Sequence, residues 1–355
     1  PLRDSVQKEV QFPSDDEECG TVTLGWRTVN VTNVFEAECL SVLWDYLTDS
    51  PVALLQQLLV ETADPCCADI SVDFSYFEEV VVMLSFEGCP LSKMGTIPAQ
   101  ISSILQSICA GERQLDMHRM ASVIEKARLS WLEGLERNPT EAVIESVIAH
   151  HVHAVQTTGL KAFLPDEAAL FDRMAALPEA FWLELLGQWM VQTCRVDIVA
   201  RPSVALQTAL TEEETQRVAA QKASIGSDGL RALEEALEAA AAANNAPIPE
   251  GLLAQFPIPP LDKFAFFHSQ SHFRAALHCH YDQLLGGGDS RFMEIRLCLN
   301  TATLTGLQRR LLPLWCEAIF KMPMDSVGDH LAVATGLERD FVYYGASIGL
   351  DGGAL

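Results

Sequence analysis

The feature that most constrains the fold is a strand-to-helix pattern that occurs twice, 271 positions apart. In each copy, the alternating apolar residues of a strand are followed, 18 residues later, by a tryptophan on an amphipathic helix. Trp26 precedes Trp44 in the first copy, and Leu297 precedes Trp315 in the second. A strand of period two followed by a helix at constant spacing indicates one structural unit used twice. The alternative is two ordinary strand–helix units that share a Leu-Trp pair by chance.

The net charge of −24, from 48 acidic and 24 basic residues, restricts the possible partners. It argues against a surface that follows the phosphate backbone of nucleic acid. It also argues against attachment to an anionic membrane surface. The most hydrophobic run, Val80–Leu84, has the length of a strand and falls far short of the ~20 residues of a membrane helix. We therefore expect no nucleic-acid partner and no membrane insertion.

The ten cysteines include no Cys-x-x-Cys pair, and several lie among apolar residues in helical or strand patterns. Cysteines in such positions are usually small core residues. This usage favours an intracellular, reducing compartment, either the cytoplasm or the mitochondrial matrix. The sequence begins at Pro1 rather than at a methionine, so we expect its natural start to be missing.

Residues 21–203 are predicted to form an α+β domain, in which helices cover one face of a mostly antiparallel sheet. The polar residues 1–20 before it are predicted to be an exposed lead-in. Ser50 is expected to cap a helix that begins at Pro51. The predicted elements are strand 21–28, helices 33–48 and 51–61, strands 70–74 and 80–86, helices 97–110, 115–136, 140–156, 165–175 and 178–192, and strand 194–201.

Residues 204–263 are predicted to be a helical hairpin that links two domains. Gly226 and Gly229 break the helical pattern, and a run of prolines follows the second helix. An apolar stripe at Leu230, Leu233 and Leu237 predicts that the hairpin packs on a partner surface. A flexible tether is the alternative.

Residues 264–355 are predicted to be a partial second α+β domain, and we expect the natural chain to continue beyond Leu355. A glycine-rich turn, Gly286–Ser290, is predicted to join two of its strands. The predicted elements are strands 273–282 and 291–300, helices 306–321 and 327–336, and strand 340–349.

Two histidine groups have the spacing of metal ligands. His278 and His280 lie on one face of a predicted strand, with His268 and His272 upstream. Exposed polar positions on a strand give the same pattern. A second group, His150, His151 and His153 on a helix, is interpreted as a solvated helix end rather than as a metal site. We assign neither group, and we predict no catalytic, cofactor-binding or metal-binding residue in this chain.

Four stretches carry a resemblance to a known family, and each is a structural motif rather than a catalytic signature. The chain resembles an internal portion of a pitrilysin/insulinase-type zinc metallopeptidase, and it is most similar to the presequence-protease branch. The stretches are Thr21–Trp26 with Leu43–Pro51, Val196–Ser203, residues 211–260 with Pro247–Glu250 and Phe256–Pro260, and Leu331–Leu350.

The resemblance implies four homologous α+β domains in two halves that close around a peptide. This chain would hold the second domain, the connecting hairpin and the start of the third. The resemblance also implies zinc in the full-length protein, bound by a His-x-x-Glu-His motif in the first domain. That motif is absent from this sequence, so the chain should be inactive alone and should hold no cofactor.

The implied function is that of the non-catalytic middle part of a large zinc metalloendopeptidase that degrades unstructured peptides in a closed chamber. Its partners would be the remaining domains of the same protein and the peptide substrate. The alternative is a non-catalytic structural subunit related to the processing-peptidase core proteins of a respiratory complex.

Overall fold

The computed structural model describes residues 4–154, 159–160, 167–249, 251–256, 268–274, 279–285, 292, 301–340 and 345–346. Two π-helical turns, His150–Ala154 and Gly187–Val191, and a 3-10 turn, Leu253–Gln255, accompany the regular elements. The strands are β1 (Val6–Pro13), β2 (Cys19–Asn30), β3 (Asp69–Tyr76), β4 (Glu79–Pro90), β5 (Arg195–Ser203), β6 (His268–Arg274) and β7 (Cys279–Leu285). The helices are α1 (Val34–Thr48), α2 (Leu54–Leu59), α3 (Leu91–Met94), α4 (Ile97–Cys109), α5 (Met117–Arg137), α6 (Pro139–Ala149), α7 (Glu167–Ala175), α8 (Glu179–Leu186), α9 (Val204–Asn244), α10 (Gly306–Ala318) and α11 (His330–Arg339).

Contacts divide the chain into two compact units, residues 1–204 with 301–355 and residues 205–300. In the first unit, five strands form one sheet in the order β1-β5-β2-β4-β3. Strand β2 runs antiparallel to both β4 and β5, and β3 runs antiparallel to β4. Only β1 joins its neighbour β5 in parallel within this sheet. The predicted α+β class with a mostly antiparallel sheet is therefore confirmed.

The core lies between one face of this sheet and the helices that cover it. Alternate residues of β2 face the core, and Val22, Leu24 and Trp26 among them are at most 1% exposed. The Trp26 ring packs on Trp44 of α1 with the ring centroids 5.8 Å apart, and its indole Nε1 donates to the backbone oxygen of Met190 at 3.1 Å. The period-two pattern in the sequence thus selects the buried face, as predicted.

Side-chain caps explain where several helices begin. The side chain of Asn33 accepts from the Glu36 backbone N–H at the start of α1, and Asp116 accepts from the His118 and Arg119 backbones at the start of α5. Asn138 caps α6 in the same way, with Pro139 in the first turn. Each cap satisfies backbone donors that have no partner inside the helix.

The helix predicted to begin at Pro51 begins later, at Leu54. Ser50 does not cap it. Its backbone adopts φ of 76°, a left-handed conformation that turns the chain before the helix can start. The residue before α2 is Ala53, which makes no side-chain cap hydrogen bond. The Ser50 hydroxyl instead donates to the carboxylate of Glu338 at 3.3 Å.

The exposed lead-in predicted at residues 1–20 contains a strand instead of a loop, because β1 spans Val6–Pro13. Seven of its eight residues are exposed and Phe12 is half-buried. No described residue covers either face of β1, and its sequence lacks the strong alternation by which a half-buried strand is recognised. The pairing with β5, rather than a buried side chain, identifies it.

The residues of the predicted hairpin form α9, which is interrupted at Gly226, where φ is 69° and ψ is 171°. The break predicted at this glycine is confirmed. The predicted apolar stripe does not pack within the part of the chain that the structure describes, since Leu230, Leu233 and Leu237 are 40%, 56% and 70% exposed. Residues 257–263 of the predicted linker lie outside the described residues.

In the predicted second copy, the helix with Trp315 is found as α10, and Trp315 is 39% exposed. The strand predicted at 273–282 is wrong, because β6 ends at Arg274 and pairs antiparallel with β7. The glycine-rich turn and most of predicted strands 291–300 and 340–349 lie outside the described residues. The repeat and the domain boundaries at 20, 203 and 263 stay predictions.

Candidate functional site

The face of the five-stranded sheet that points away from the core is the candidate site, and we call it the open sheet face. It consists of the residues of β2, β4 and β5 that alternate with the buried ones. All of them are half-buried. They are Thr21, Thr23, Gly25, Val81, Met83, Ser85, Val196, Ile198 and Ala200.

Register places these residues in adjacent rows across the three strands. Thr23 pairs with Ser85 on one side and with Ile198 on the other, and Gly25 pairs with Met83 and Val196. The Thr23 and Ser85 hydroxyls lie 3.1 Å apart and share a hydrogen bond. The middle of the open sheet face therefore presents short apolar and hydroxyl side chains without a charge.

Charged side chains with the same strand phase lie at the margins of the open sheet face. Arg27 pairs with Glu79 at 3.5 Å near one end of β2, and both side chains are more than half exposed. Asp73 on β3 and Glu87 on β4 are exposed as well. The open sheet face thus combines a neutral centre with charged margins.

Strand β4 shows that this face is unusually apolar for an exposed one. The run Val80–Leu84 is apolar at every position, a pattern typical of strands that are covered on both faces. In the structure Val80, Val82 and Leu84 are fully buried, whereas Val81 and Met83 are half-buried on the open sheet face. The sequence of β4 thus favours a partner on the side that the helices leave open.

The site carries no constellation for hydrolysis in the described part of the chain. Among these residues, no group of three or more His, Cys, Asp or Glu is placed to hold a metal ion. The open sheet face has no nucleophile–base pair, because its polar centre consists of the paired hydroxyls of Thr23 and Ser85.

The two histidine groups from the sequence fall elsewhere. In the β6–β7 hairpin, register pairs His272 with Tyr281 and Phe273 with His280, so the two histidines are not directly opposite each other. His278 lies outside the described residues. His150 and the two later histidines lie in a π-helical turn, which is wider than an α-helix and does not align residues three positions apart.

A cavity of about 190 Å³ lies on the helix side of the sheet, where β5 begins. Arg195 and Asp197 form one wall, with Arg195 Nε 2.7 Å from Asp197 Oδ1. Arg195 Nη2 also donates to the backbone oxygen of Pro98 at 2.8 Å, and the guanidinium lies 5.6 Å from the Trp26 ring centroid. The other lining residues are Ser5, Ser102, Leu105, Gln106, Met190, Val191 and Thr193.

A second group of charged side chains lies between α1, α5 and α11. Arg119 donates to the backbone oxygen of Tyr46 at 2.5 Å and to the Glu338 carboxylate at 3.2 Å. Lys126 is paired with Asp49. Half-buried Asp45 faces this group, and burial, followed by the charge of Asp49, raises its pKa from 3.8 to about 6. Lys126 lowers that pKa and Glu38 raises it further, but burial has the largest effect.

This raised pKa predicts that Asp45→Asn stabilises the protein above pH 6. A carboxyl whose pKa is higher in the folded state binds its proton more tightly there, so its contribution is favourable at low pH and is lost as the pH rises through about 6. We expect the variant to be more stable than the wild type by about 2 kcal/mol at pH 7.5, after allowing for solvent screening, and equally stable at about pH 3, below the ordinary pKa of 3.8. Urea unfolding at the two pH values measures this difference.

Asp4→Asn, at an exposed position, is the control for that experiment and should leave the pH dependence unchanged. An Asp45→Asn chain whose stability follows the wild-type pH profile would contradict the assignment.

None of the described helices is both long and apolar enough to cross a membrane.

Comparison with known protein families and sequences gives relatives but no family. No family model matches the sequence. An uncharacterised protein of Caenorhabditis elegans is 25% identical over 99% of this chain and 37% of its own length. Uncharacterised proteins of Schizosaccharomyces pombe and Saccharomyces cerevisiae are 25% and 24% identical over 76% and 96% of the chain, and over 26% and 34% of their own lengths. The chain thus spans about a third of the length of the curated relatives it matches.

Among solved structures, the chain is similar to a protease from Helicobacter pylori, with a TM-score of 0.45 and 14% identity over 57% of this chain and 46% of that one. It is also similar to the periplasmic protease PqqL of Escherichia coli, with a TM-score of 0.41 and 12% identity over 57% and 21% of the two chains. The inactive peptidase domain of a protein assigned as a zinc protease in Bordetella parapertussis gives a TM-score of 0.42 and 13% identity over 54% and 95%. Likenesses of this extent do not establish a family.

Proposed function

We propose that this chain is the non-catalytic middle part of a large zinc metalloendopeptidase of the pitrilysin/insulinase type, on the presequence-protease side of that family. In this proposal the open sheet face lines the chamber in which unstructured peptides are held. The remaining domains of the same protein are its partners and carry the zinc. The protein acts in an intracellular, reducing compartment, either the cytoplasm or the mitochondrial matrix.

The observation that supports the proposal best is the open sheet face. One side of the sheet is packed by helices around Trp26 and Trp44, while the other side offers Val81, Met83 and Ile198 half-buried with paired hydroxyls between them. A surface of this kind can hold a peptide chain without cleaving it. It leaves the catalytic chemistry to another part of the protein.

Two further observations agree with a non-catalytic middle part. The sequence lacks the His-x-x-Glu-His motif that the family resemblance places in a different domain. The chain spans 37% or less of its curated relatives, so a protein of their length has room for a separate catalytic region. The eight cysteines whose side chains the structure describes are free, which agrees with the proposed reducing compartment.

The proposal predicts that Met83→Glu in the full-length protein impairs peptide binding rather than the chemical step. A carboxylate in the neutral centre of the open sheet face would have to be desolvated by a bound peptide. We expect KM for an unstructured fluorogenic peptide to rise about tenfold, equivalent to about 1.4 kcal/mol, with kcat within about twofold of the wild type. Steady-state kinetics with matched zinc loading would measure both.

Val143→Glu is the matched control, because Val143 is an exposed apolar residue (38%) on helix α6 rather than on the sheet. It should leave both constants unchanged. Equal kinetics for Met83→Glu and the wild type would contradict the lining role. A full-length protein that binds no zinc and cleaves no peptide would instead favour the structural subunit of a respiratory complex.

A further inference from the structure

Strand β1 occupies an edge of the sheet without joining its core. Its residues pair in parallel with Val196–Ser203 of β5 through the backbone. None of them belongs to the hydrophobic core or packs against it. Val6 and Val10 are 37% and 41% exposed. The strand is therefore held mainly by the backbone hydrogen bonds of one ladder.

The side-chain contacts of β1 are few and lie near solvent. Glu9 forms an ion pair with Arg201 of β5, with the two side chains 59% and 32% exposed. Just before the strand, the Ser5 hydroxyl accepts from the Arg195 backbone N–H at 3.2 Å. An exposed ion pair contributes about 1 kcal/mol or less. An edge strand with so few buried contacts belongs to the part of a protein that opens most easily.

The cavity at the start of β5 lies in register with β1. Val6 pairs with Val196, so alternation places positions 5, 7 and 9 on the helix side of the sheet, with Arg195 and Asp197. Ser5 lines the cavity, and about 190 Å³ remains beyond its short side chain. The walls combine apolar Leu105, Met190 and Val191 with polar side chains. A longer, unbranched side chain at this position would fill space that serine leaves empty.

We propose that the outer edge of β5 is a docking edge for an extended peptide, and that β1 is a replaceable occupant of it. An incoming peptide runs parallel to β5 and places an acidic side chain at the position of Glu9, opposite Val199 and diagonal to Arg201, with which it forms an ion pair. It also inserts a long unbranched side chain into the cavity. Main-chain hydrogen bonds supply the affinity, and the two side-chain positions supply the selectivity. That the occupant is a peptide rests on the proposed function. The weak attachment of β1 to β5 does not depend on that proposal.

A charge reversal tests the docking edge with the full chain. In the Arg201→Glu chain, Glu9 of β1 meets a like charge, so β1 is loosened. A labelled peptide with the sequence of residues 5–13 and the change Glu9→Arg should bind this chain at least tenfold more tightly than the unchanged peptide does, by fluorescence anisotropy. The wild-type chain should bind either peptide weakly, because its own β1 competes at high effective concentration.

The cavity is tested with the same peptide. Ser5→Met should tighten binding about threefold, because burial of the methionine side chain, about 1.5–3 kcal/mol, exceeds the loss of the hydrogen bond from the Arg195 backbone to the Ser5 hydroxyl, about 1 kcal/mol. Val6→Met, one position along and on the opposite side of the strand, should change binding less than about twofold. An unchanged thermal unfolding transition of the Arg201→Glu chain shows that the core, which β1 does not join, remains folded.

Three results would overturn the proposal. The first is peptide binding that is indifferent to the charge facing Arg201, and the second is equal effects of Ser5→Met and Val6→Met. The third is dimerisation of the Arg201→Glu chain by sedimentation, with no peptide uptake, which would make a second copy of this chain the occupant. All three results come from binding or mass measurements on this chain. They would contradict the docking edge whether or not the peptidase assignment is correct.

Discussion

Replacing Trp44 with alanine will lower the free energy of unfolding by about 4 kcal/mol, as is typical of a large aromatic removed from a core. Trp44 is 1% exposed and packs on Trp26 with the ring centroids 5.8 Å apart. Its indole Nε1 makes no hydrogen bond with the described residues, so the loss comes from packing and not from a broken polar contact. Urea unfolding followed by tryptophan fluorescence and circular dichroism measures the change.

Trp315→Ala is the matched control, because Trp315 occupies the position of Trp44 in the sequence repeat. Trp315 is 39% exposed on α10, and we expect its loss to cost about 1 kcal/mol or less. Comparable losses at the two tryptophans would contradict this expectation. They would indicate that the apolar face of α10 is buried as that of α1 is, which is what a complete repeat requires.

The helices and inner strands could be predicted because their signals are local. Asn33, Asp116 and Asn138 mark helix starts through contacts within three residues. The alternation in β2 and β4 selects the buried face without knowledge of the partner. Strand β1 could not be found in this way, because an edge strand exposed on both sides has no apolar face to reveal it.

The sequence predicts only part of the candidate site. The apolar run Val80–Leu84 indicates that both faces of β4 are apolar, yet the sequence does not say which face the helices leave uncovered. The charged group around Asp45 was also missed, since it joins Asp49, Lys126 and Glu338 from distant parts of the chain. Such groups depend on long-range packing, which no local pattern encodes.

The sequence of β5 carries a local signal of a buried ion pair. Arg195 and Asp197 fall in the same strand phase as Val199, which is 2% exposed, so alternation alone places both charges on the buried side. Two opposite charges two residues apart in a buried phase indicate an ion pair, because an unpaired charge there would be costly. The structure has that pair, with the two side chains 11% and 9% exposed.

Arg195→Met will destabilise the protein by about 3–5 kcal/mol, because it leaves the Asp197 carboxylate buried without its partner. The substitution also removes the hydrogen bond to the Pro98 backbone oxygen and the stacking on Trp26. The control is Arg217→Met on α9, where Arg217 pairs with Glu214 and both side chains are 59% exposed. That exposed pair should make a contribution too small to resolve in urea unfolding.

The double variant Arg195→Met with Asp197→Leu tests whether the loss of stability comes from the unpaired Asp197 carboxylate. Two apolar side chains beside Leu105 and Met190 leave no ion unpaired, and the neighbouring cavity of about 190 Å³ gives room for them. We expect the double variant to recover most of the stability lost by either single variant, to within about 1 kcal/mol of the wild type. Additive losses from the two substitutions would contradict this, and would mean that Arg195 stabilises the fold through Trp26 and Pro98 rather than through Asp197.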